Sequence, residues 1–192
     1  MPNWCRNKTT FTFPTNRVRD LFFKSIADEK LFSTFAPLNL GEDENGEEKW
    51  EFTKAIEVWG TKCEPLDVII HRENIQENVD SEPIACISFD TAWAPPTGLY
   101  ERMNKNHGIS IMGFFSEPGE EVFGTCIYIG DIEKNKYYNY PRNITQLQSI
   151  REYIGIDSEL DRYMSSEWDY LENHWKDRDS CDSLHYSETS DS

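Results

Sequence analysis

The stretch Ile84–Trp93, IACISFDTAW, constrains the fold more than any other part of this chain. Ile84, Cys86 and Ser88 alternate there with Ala85, Ile87 and Phe89. Residues two apart point to the same side of a strand, so this pattern commits the segment to a sheet with at least one face against a core. NKTTFTF, from Asn7 to Phe13, alternates polar and aromatic residues in the same way and is ended by Pro14. Between the two lies TNRVRDLFFKSIADEK, where Val18, Leu21, Phe22, Ser25 and Ile26 recur at helical spacing behind a Thr15 or Asn16 cap.

The remaining segments extend the series. LFSTFAPLNL reads as an irregular apolar linker because Pro37 precludes regular helix there. GEDENGEEKW (Gly41–Trp50) is an acidic loop, and EFTKAIEVWGT fits either a short helix or a strand. LDVIIHRENI reads as a strand followed by a turn at NVDSEP. PPTGLYERMNKNHG reads as a helix, with Leu99 and Met103 four apart and Gly108 at the left-handed position after its end. ISIMGFFSE and EVFGTCIYIGD flank a PGE hairpin turn, and helices follow KNKYYNYP. Asn143 and Gln146 form a capping-box pattern at the head of ITQLQSIREYI. The order strand, helix, strands, helix, two strands describes an α+β fold, an antiparallel sheet covered by two helices. That plan is close to the split βαβ, or ferredoxin-like, arrangement. The expected organisation is a ferredoxin-like domain over residues 1–140, an acidic helical extension over 141–178 and a polar, disordered tail over 179–192.

The chain has 192 residues, 38% of them hydrophobic and 14% aromatic, enough for one real core. No run approaches the ~20 apolar residues that span a bilayer, and MPNWCRNKTT lacks the apolar run of a signal peptide. A soluble, intracellular protein without membrane contact is expected. Cys5, Cys63, Cys86, Cys126 and Cys181 are widely spaced and form no CxxC, which points to reduced thiols rather than a zinc or redox site. The four histidines are equally scattered, so neither metal nor cofactor is expected. The net charge is −16, and residues 157–192 hold eleven acidic against three basic residues, a net of −8. Such a field repels phosphates and makes direct nucleic-acid binding unlikely. A basic protein surface is the better partner.

Two loops gather the residues that suggest a site: WGTKCEP (59–65) and FDTAWAPP (89–96). Lys62 beside Gly60 and Thr61 could hold a phosphate or carboxylate, yet the longer glycine pattern of a P-loop is missing. Asp90 could serve as base or magnesium ligand with Glu117 or Glu120 as its partner, or could close an Asx turn before Thr91. Trp4, Trp59 and Trp93 could stack on a base, anchor an interface, or form one aromatic mini-core that pins the loops together. No Ser–His–Asp, Cys–His, paired-carboxylate or metal pattern is present, so no enzymatic activity is expected.

MPNWCRN, WGTKCEP, FDTAWAPP and GFFSEPGEEVFGT occur in an order that resembles the YubB ferredoxin-like family, proteins carried by phages and conjugative plasmids. The resemblance covers about residues 1–131. It implies a ferredoxin-like domain, a mobile genetic element and the cytoplasm of an infected bacterial host. One departure is Cys63, where the family has a second Trp. The chain from Tyr137 onward has no counterpart in the resemblance.

The expected function is that of a phage- or plasmid-encoded accessory protein that binds a bacterial host protein, a defence component being the natural target. Its contacts would be the carboxylates Asp157, Glu159, Asp161, Glu167, Asp169 and Glu172. One alternative is a protein that sequesters or hydrolyses a nucleotide or small molecule through Trp59, Lys62, Asp90 and Trp93. Another is a structural accessory protein without a host target. Within the acidic segment, Leu160, Met164, Trp168, Leu171 and Trp175 form one apolar stripe, expected to be buried against the parent domain rather than to serve as an interface. Composition leaves the oligomeric state open.

Overall fold

The computed structural model describes residues 3–41, 44, 49–71, 83–155 and 158–185, with only the backbone described at 174 and 176–185. The chain forms two compact units, Met1–Tyr138 and Asn139–Ser192. Twelve elements follow one another: β1 (Trp4–Thr12), α1 (Asn16–Ala27), α2 (Leu31–Phe35), α3 (Phe52–Trp59), β2 (Leu66–Ile70), β3 (Ile84–Ala92), α4 (Thr97–His107), β4 (Ser110–Glu117), β5 (Val122–Ile129), β6 (Ile132–Asn139), α5 (Ile144–Ile154) and α6 (Glu159–His185). The fold is α+β. One six-stranded sheet runs in the order β2-β3-β1-β4-β5-β6. The pairings of β1 with β3 and β4, of β2 with β3 and of β4 with β5 are antiparallel. The Gly130–Asp131 connection is too short for anything but an antiparallel β6.

Register sorts the strand residues onto two faces. One face carries Asn7, Thr9 and Phe11 opposite Phe89, Ile87 and Ala85 on β3, and Phe115, Gly113 and Ile111 on β4. Helices cover this face. Phe22 of α1 lies 4.8 Å from Phe11, and Tyr100 of α4 lies 6.2 Å from it, ring centre to ring centre. The polar groups that enter this core are matched. Thr9 Oγ1 meets the Tyr100 hydroxyl at 2.7 Å, and Asn7 Nδ2 donates to Cys5 O and Thr91 Oγ1, both at 2.9 Å. Burial pushes the Tyr100 hydroxyl well above the ordinary phenol range. The opposite face carries Trp4, Arg6, Lys8, Thr10 and Thr12 of β1, none of them fully buried.

Three elements depart from the expectations above. The linker expected at Leu31–Leu40 contains α2, which stops at Phe35, before Pro37; the proline bars continuation and leaves the preceding turn free to form. The ambiguous segment before the WGTK turn is helix α3. β6 was missed altogether. It is a charged edge strand, exposed at every position except the half-buried Tyr138, so it has no apolar alternation to read. Four helices, rather than two, lie in the first unit. The turn expected at NVDSEP and most of the acidic loop lie outside the described residues.

In the second unit, Asn143 Oδ1 accepts from Gln146 N at 2.9 Å and starts α5, while the Gln146 side chain accepts from Arg142 N at 2.8 Å. Helix α6 runs on to His185, into the segment expected to be a disordered tail; residues 186–192 lie outside the described residues. Of its apolar stripe, Leu160, Met164 and Trp168 are buried, and Leu171 and Trp175 are half-buried. Tyr140 meets the Trp168 ring edge-on at 6.2 Å.

Candidate functional site

The four motif stretches meet at one end of the sheet. WGTKCEP begins at the last residue of α3. Gly60 ends that helix with φ +85°, a left-handed conformation, and a Cβ there would stand 3.1 Å from Thr97 N and 3.3 Å from Pro95 O. Only glycine satisfies both demands. Trp59 is buried; its indole N–H donates to Ala36 O at 2.6 Å, and its ring stands edge-on to Phe32 at 5.6 Å. Glu64 reaches back to the other end of α2. Its two carboxylate oxygens accept from Phe32 N at 2.6 Å and Ser33 N at 2.8 Å, the orphan donors of a helix start. Thr61 Oγ1 donates to Ala92 O at 2.8 Å and ties the loop to β3. The motif thus clamps α2 at both ends. Cys63 is half-buried, and burial raises its thiol pKa above the ordinary value.

FDTAWAPP is arranged differently. Thr91 turns inward and donates to Ala94 O at 2.8 Å. Trp93 then takes φ +73°, a conformation that a bulky side chain rarely adopts. Its N–H donates to Asn3 O at 2.9 Å, and Lys62 Nζ sits 4.5 Å from the centre of its ring. Even so, Trp93 is 45% exposed, and Trp4 nearby in sequence to Asn3 is 38% exposed. Asn3 Nδ2 also reaches Glu120 Oε1 at 3.5 Å. The expected mini-core of Trp4, Trp59 and Trp93 is therefore not formed, because only Trp59 is buried.

Asp90 sits on the strand face opposite the helices, with Arg6 directly across on β1. Partial burial raises its carboxyl pKa above the usual value; Arg6 opposes that shift and Asp67 adds to it. Of its two expected partners, Glu117 and Glu120, the first is not on that face. Glu117 projects to the helix side, fully buried, where its carboxylate accepts from Gly119 N at 2.9 Å and from Glu120 N. It caps the turn between β4 and β5. Trp59, Lys62, Asp90 and Trp93 consequently do not converge on one pocket: the first is core, the third lies on the sheet face, and only Lys62 and Trp93 meet.

The acidic helix divides as well. Glu159 and Asp169 are exposed, Glu167 and Glu172 are half-buried, and Asp157 lies outside the described residues. Asp161 is buried and occupied. Arg151 of α5 donates to it through Nε at 3.0 Å and Nη2 at 3.2 Å, and Trp168 Nε1 donates at 3.1 Å. Asp161 is a structural group, contrary to its expected place among the surface contacts. Its position seven residues before Trp168, two helical turns, was the available signal.

A cleft of about 380 Å³ opens beside β2, walled by Ile26, Leu31, Leu66 and Val68 and bearing the carboxylates Glu29, Glu64 and Asp67. Nothing in the sequence pattern marked it, since its walls come from two stretches, 26–31 and 64–68, far apart in the chain. Among the described residues, no three of His, Cys, Asp and Glu gather to hold a metal ion, and no helix is long and apolar enough to cross a membrane.

No family model matches the chain, and no curated protein matches it. Among solved structures, the crystal structure of the protein api92 from Yersinia pseudotuberculosis, of the family DUF1281, aligns with a TM-score of 0.37 at 14% identity. The alignment covers 56% of this chain and 36% of that one, and is too distant to bear on function.

Proposed function

We propose that the chain is an accessory binding protein of a phage or plasmid, akin to the YubB ferredoxin-like family, that engages a basic surface on a bacterial host protein in the host cytoplasm. A defence component is the natural target. The observation that carries this reading is Trp93: a bulky residue held at φ +73° and still 45% exposed. Backbone strain of this kind costs about 1–3 kcal/mol and survives where the surroundings enforce it, often at binding surfaces. Exposed Trp is also the residue type most enriched among interface hot spots. The exposed carboxylates Glu159 and Asp169, and the acid-bearing cleft beside β2, add contacts suited to Lys and Arg.

The ferredoxin-like assignment of the first unit draws support from its first four strands. Their order, β2-β3-β1-β4, with helices in the crossovers from β1 to β2 and from β3 to β4, follows the split βαβ plan. A nucleotide site built from Trp59, Lys62, Asp90 and Trp93 has less support, since Trp59 is spent on α2 and Asp90 lies on the sheet face.

Affinity capture from bacterial lysate tests the reading, with the native chain beside Trp93→Ala and a Glu159→Lys/Asp169→Lys double variant. The expected result is a protein retained at low salt, released near ~0.5 M salt and lost with each variant. Recovery of no salt-sensitive partner overturns the proposal.

A further inference from the structure

The two edges of the sheet are built differently. β6 closes one edge and carries Glu133, Lys134 and Lys136, charges that discourage another strand from pairing there. β2 closes the other with the sequence LDVII, in which Asp67 is the one charged residue. Leu66 is 45% exposed and Ile69 59%. Among the described residues β2 pairs with β3 alone, and the outer row of its backbone N–H and C=O groups has no strand beside it.

The cleft of about 380 Å³ opens along this strand. Ile26, near the end of α1, and Leu31, at the start of α2, wall it together with Leu66 and Val68. Two carboxylates stand in the wall on left-handed backbone. Glu29 lies just past α1 at φ +56°, and Asp67 lies at φ +51° where the register of β2 against β3 shifts. A bulge of that kind re-aims a side chain out of the strand's alternation. Glu64, the third acid, is spent on the amides of Phe32 and Ser33 but still contributes its charge. None of the described residues lining the cleft is Lys or Arg. Apolar walls bearing carboxylates match an Arg or Lys side chain, whose methylene stem lies on apolar surface while its head stays charged.

We infer that β2 accepts an extended basic peptide as an added edge strand, with Arg or Lys side chains from alternate positions entering the cleft. Main-chain hydrogen bonds along β2 supply the affinity, and the cleft selects the side chain. Its volume suits side chains, standing near the small end of the roughly 300–1,000 Å³ of ligand pockets. Resting on the reading above for the basic character of the partner, this site adds that the bound segment is extended.

The test is fluorescence anisotropy of the full chain with a labelled peptide of roughly seven residues alternating Val and Arg, close to a usual strand length. The expected result is saturable binding at ~50 mM salt that Glu29→Gln and Asp67→Asn each weaken about two- to fivefold. Both substitutions remove charge at nearly constant shape, and Asn tolerates a positive φ. The same peptide N-methylated at its Arg amides, or instead at its Val amides, separates strand addition from charge alone. One of the two loses the amides that face β2 and should bind roughly tenfold more weakly or worse, while the other should bind like the parent. Absence of binding, equal loss in both methylated peptides, loss in neither, or unchanged affinity in both carboxylate variants overturns the inference. A dimer of the chain in sedimentation that Ile69→Lys dissociates also overturns it, since a second copy would then hold the edge. Capture of a host protein that depends on Trp93 while the peptide fails to bind overturns the β2 site alone and leaves the reading above standing.

Discussion

WGTKCEP and FDTAWAPP are written in the same few residue types, a Trp among small residues, a charge and a proline, yet the fold uses them in opposite ways. The first turns its Trp and its Glu inward and spends both on α2. The second displays its Trp, strained and with the Lys62 ammonium over its ring. The difference lies in what surrounds each indole. Trp59 finds an unsatisfied carbonyl at Ala36 and a ring at Phe32, whereas Trp93 leaves the sheet after Ala92, its N–H on Asn3 O and its ring under the Lys62 ammonium. A Trp in a loop motif is thus diagnostic of neither core nor site until its N–H and ring face are accounted for.

The largest effect expected from breaking this contrast is at Trp59. Trp59→Ala removes a fully buried indole and orphans Ala36 O, and should cost roughly 3–5 kcal/mol of stability in urea denaturation. A loss below about 1 kcal/mol would mean that the α2 clamp is dispensable. Glu64→Ala comes next. It leaves the N–H groups of Phe32 and Ser33 without their carboxylate, and about 1–3 kcal/mol should be lost. Amide exchange should quicken at Phe32 and Ser33 ahead of the rest of the unit.

The acidic helix offers the same contrast between spent and displayed groups. Asp161→Ala takes away the acceptor shared by Arg151 and Trp168, so a cost of about 1.5–3 kcal/mol is expected. Asp169→Ala, on an exposed carboxylate of the same helix, should change stability by less than about 0.5 kcal/mol. Equal costs for the two would erase the distinction. Trp93→Gly sits lower still. Glycine relieves the positive φ, worth about 1–2 kcal/mol, and loses a cation–π contact worth about 0.5–1 kcal/mol. Stability should therefore stay within about 1 kcal/mol of the native chain, while capture of a partner is lost.

What the sequence disclosed follows from the same accounting. Strands β1 and β3 were legible because one of their faces is core, and alternation reports that. β6 was not, because it is exposed at all but one position, and its polar and charged residues, Glu133, Lys134, Asn135 and Lys136, leave no apolar alternation to read. Helix α4 was legible from its ends, with Gly108 at φ +67° closing it as expected. Helix α2 was hidden because its caps are supplied by Glu64 and Trp59, 23 to 32 residues away in the chain, and no local pattern encodes a remote cap. The motif islands did mark one end of the sheet correctly as a meeting place. Which of their side chains point outward depended on register and on the positive φ of Trp93, and neither is written in residue type.

The smallest effect concerns Asp90, displayed on the sheet where Glu117 is enclosed. Partial burial raises its carboxyl pKa above the ordinary 3.8, although Arg6 draws it down. The folded state then holds this proton more tightly than the unfolded chain does. Stability from this group is greatest below pH 3.8 and declines as pH rises from there to the raised folded value, after which it stays level. This slope is opposite to that of a salt-bridged carboxylate. Asp90→Asn removes the titration, so at pH 7 the variant should melt slightly higher than the native chain, and the gain should vanish in acid below pH 3.8. The Arg6 pairing sets the alternative. Were Arg6 the stronger influence, the variant would be less stable at pH 7, and the difference would still close in acid as the native carboxylate protonates. Melting curves of both proteins from pH 3 to 7 therefore decide between desolvation and ion pairing by the sign of one difference.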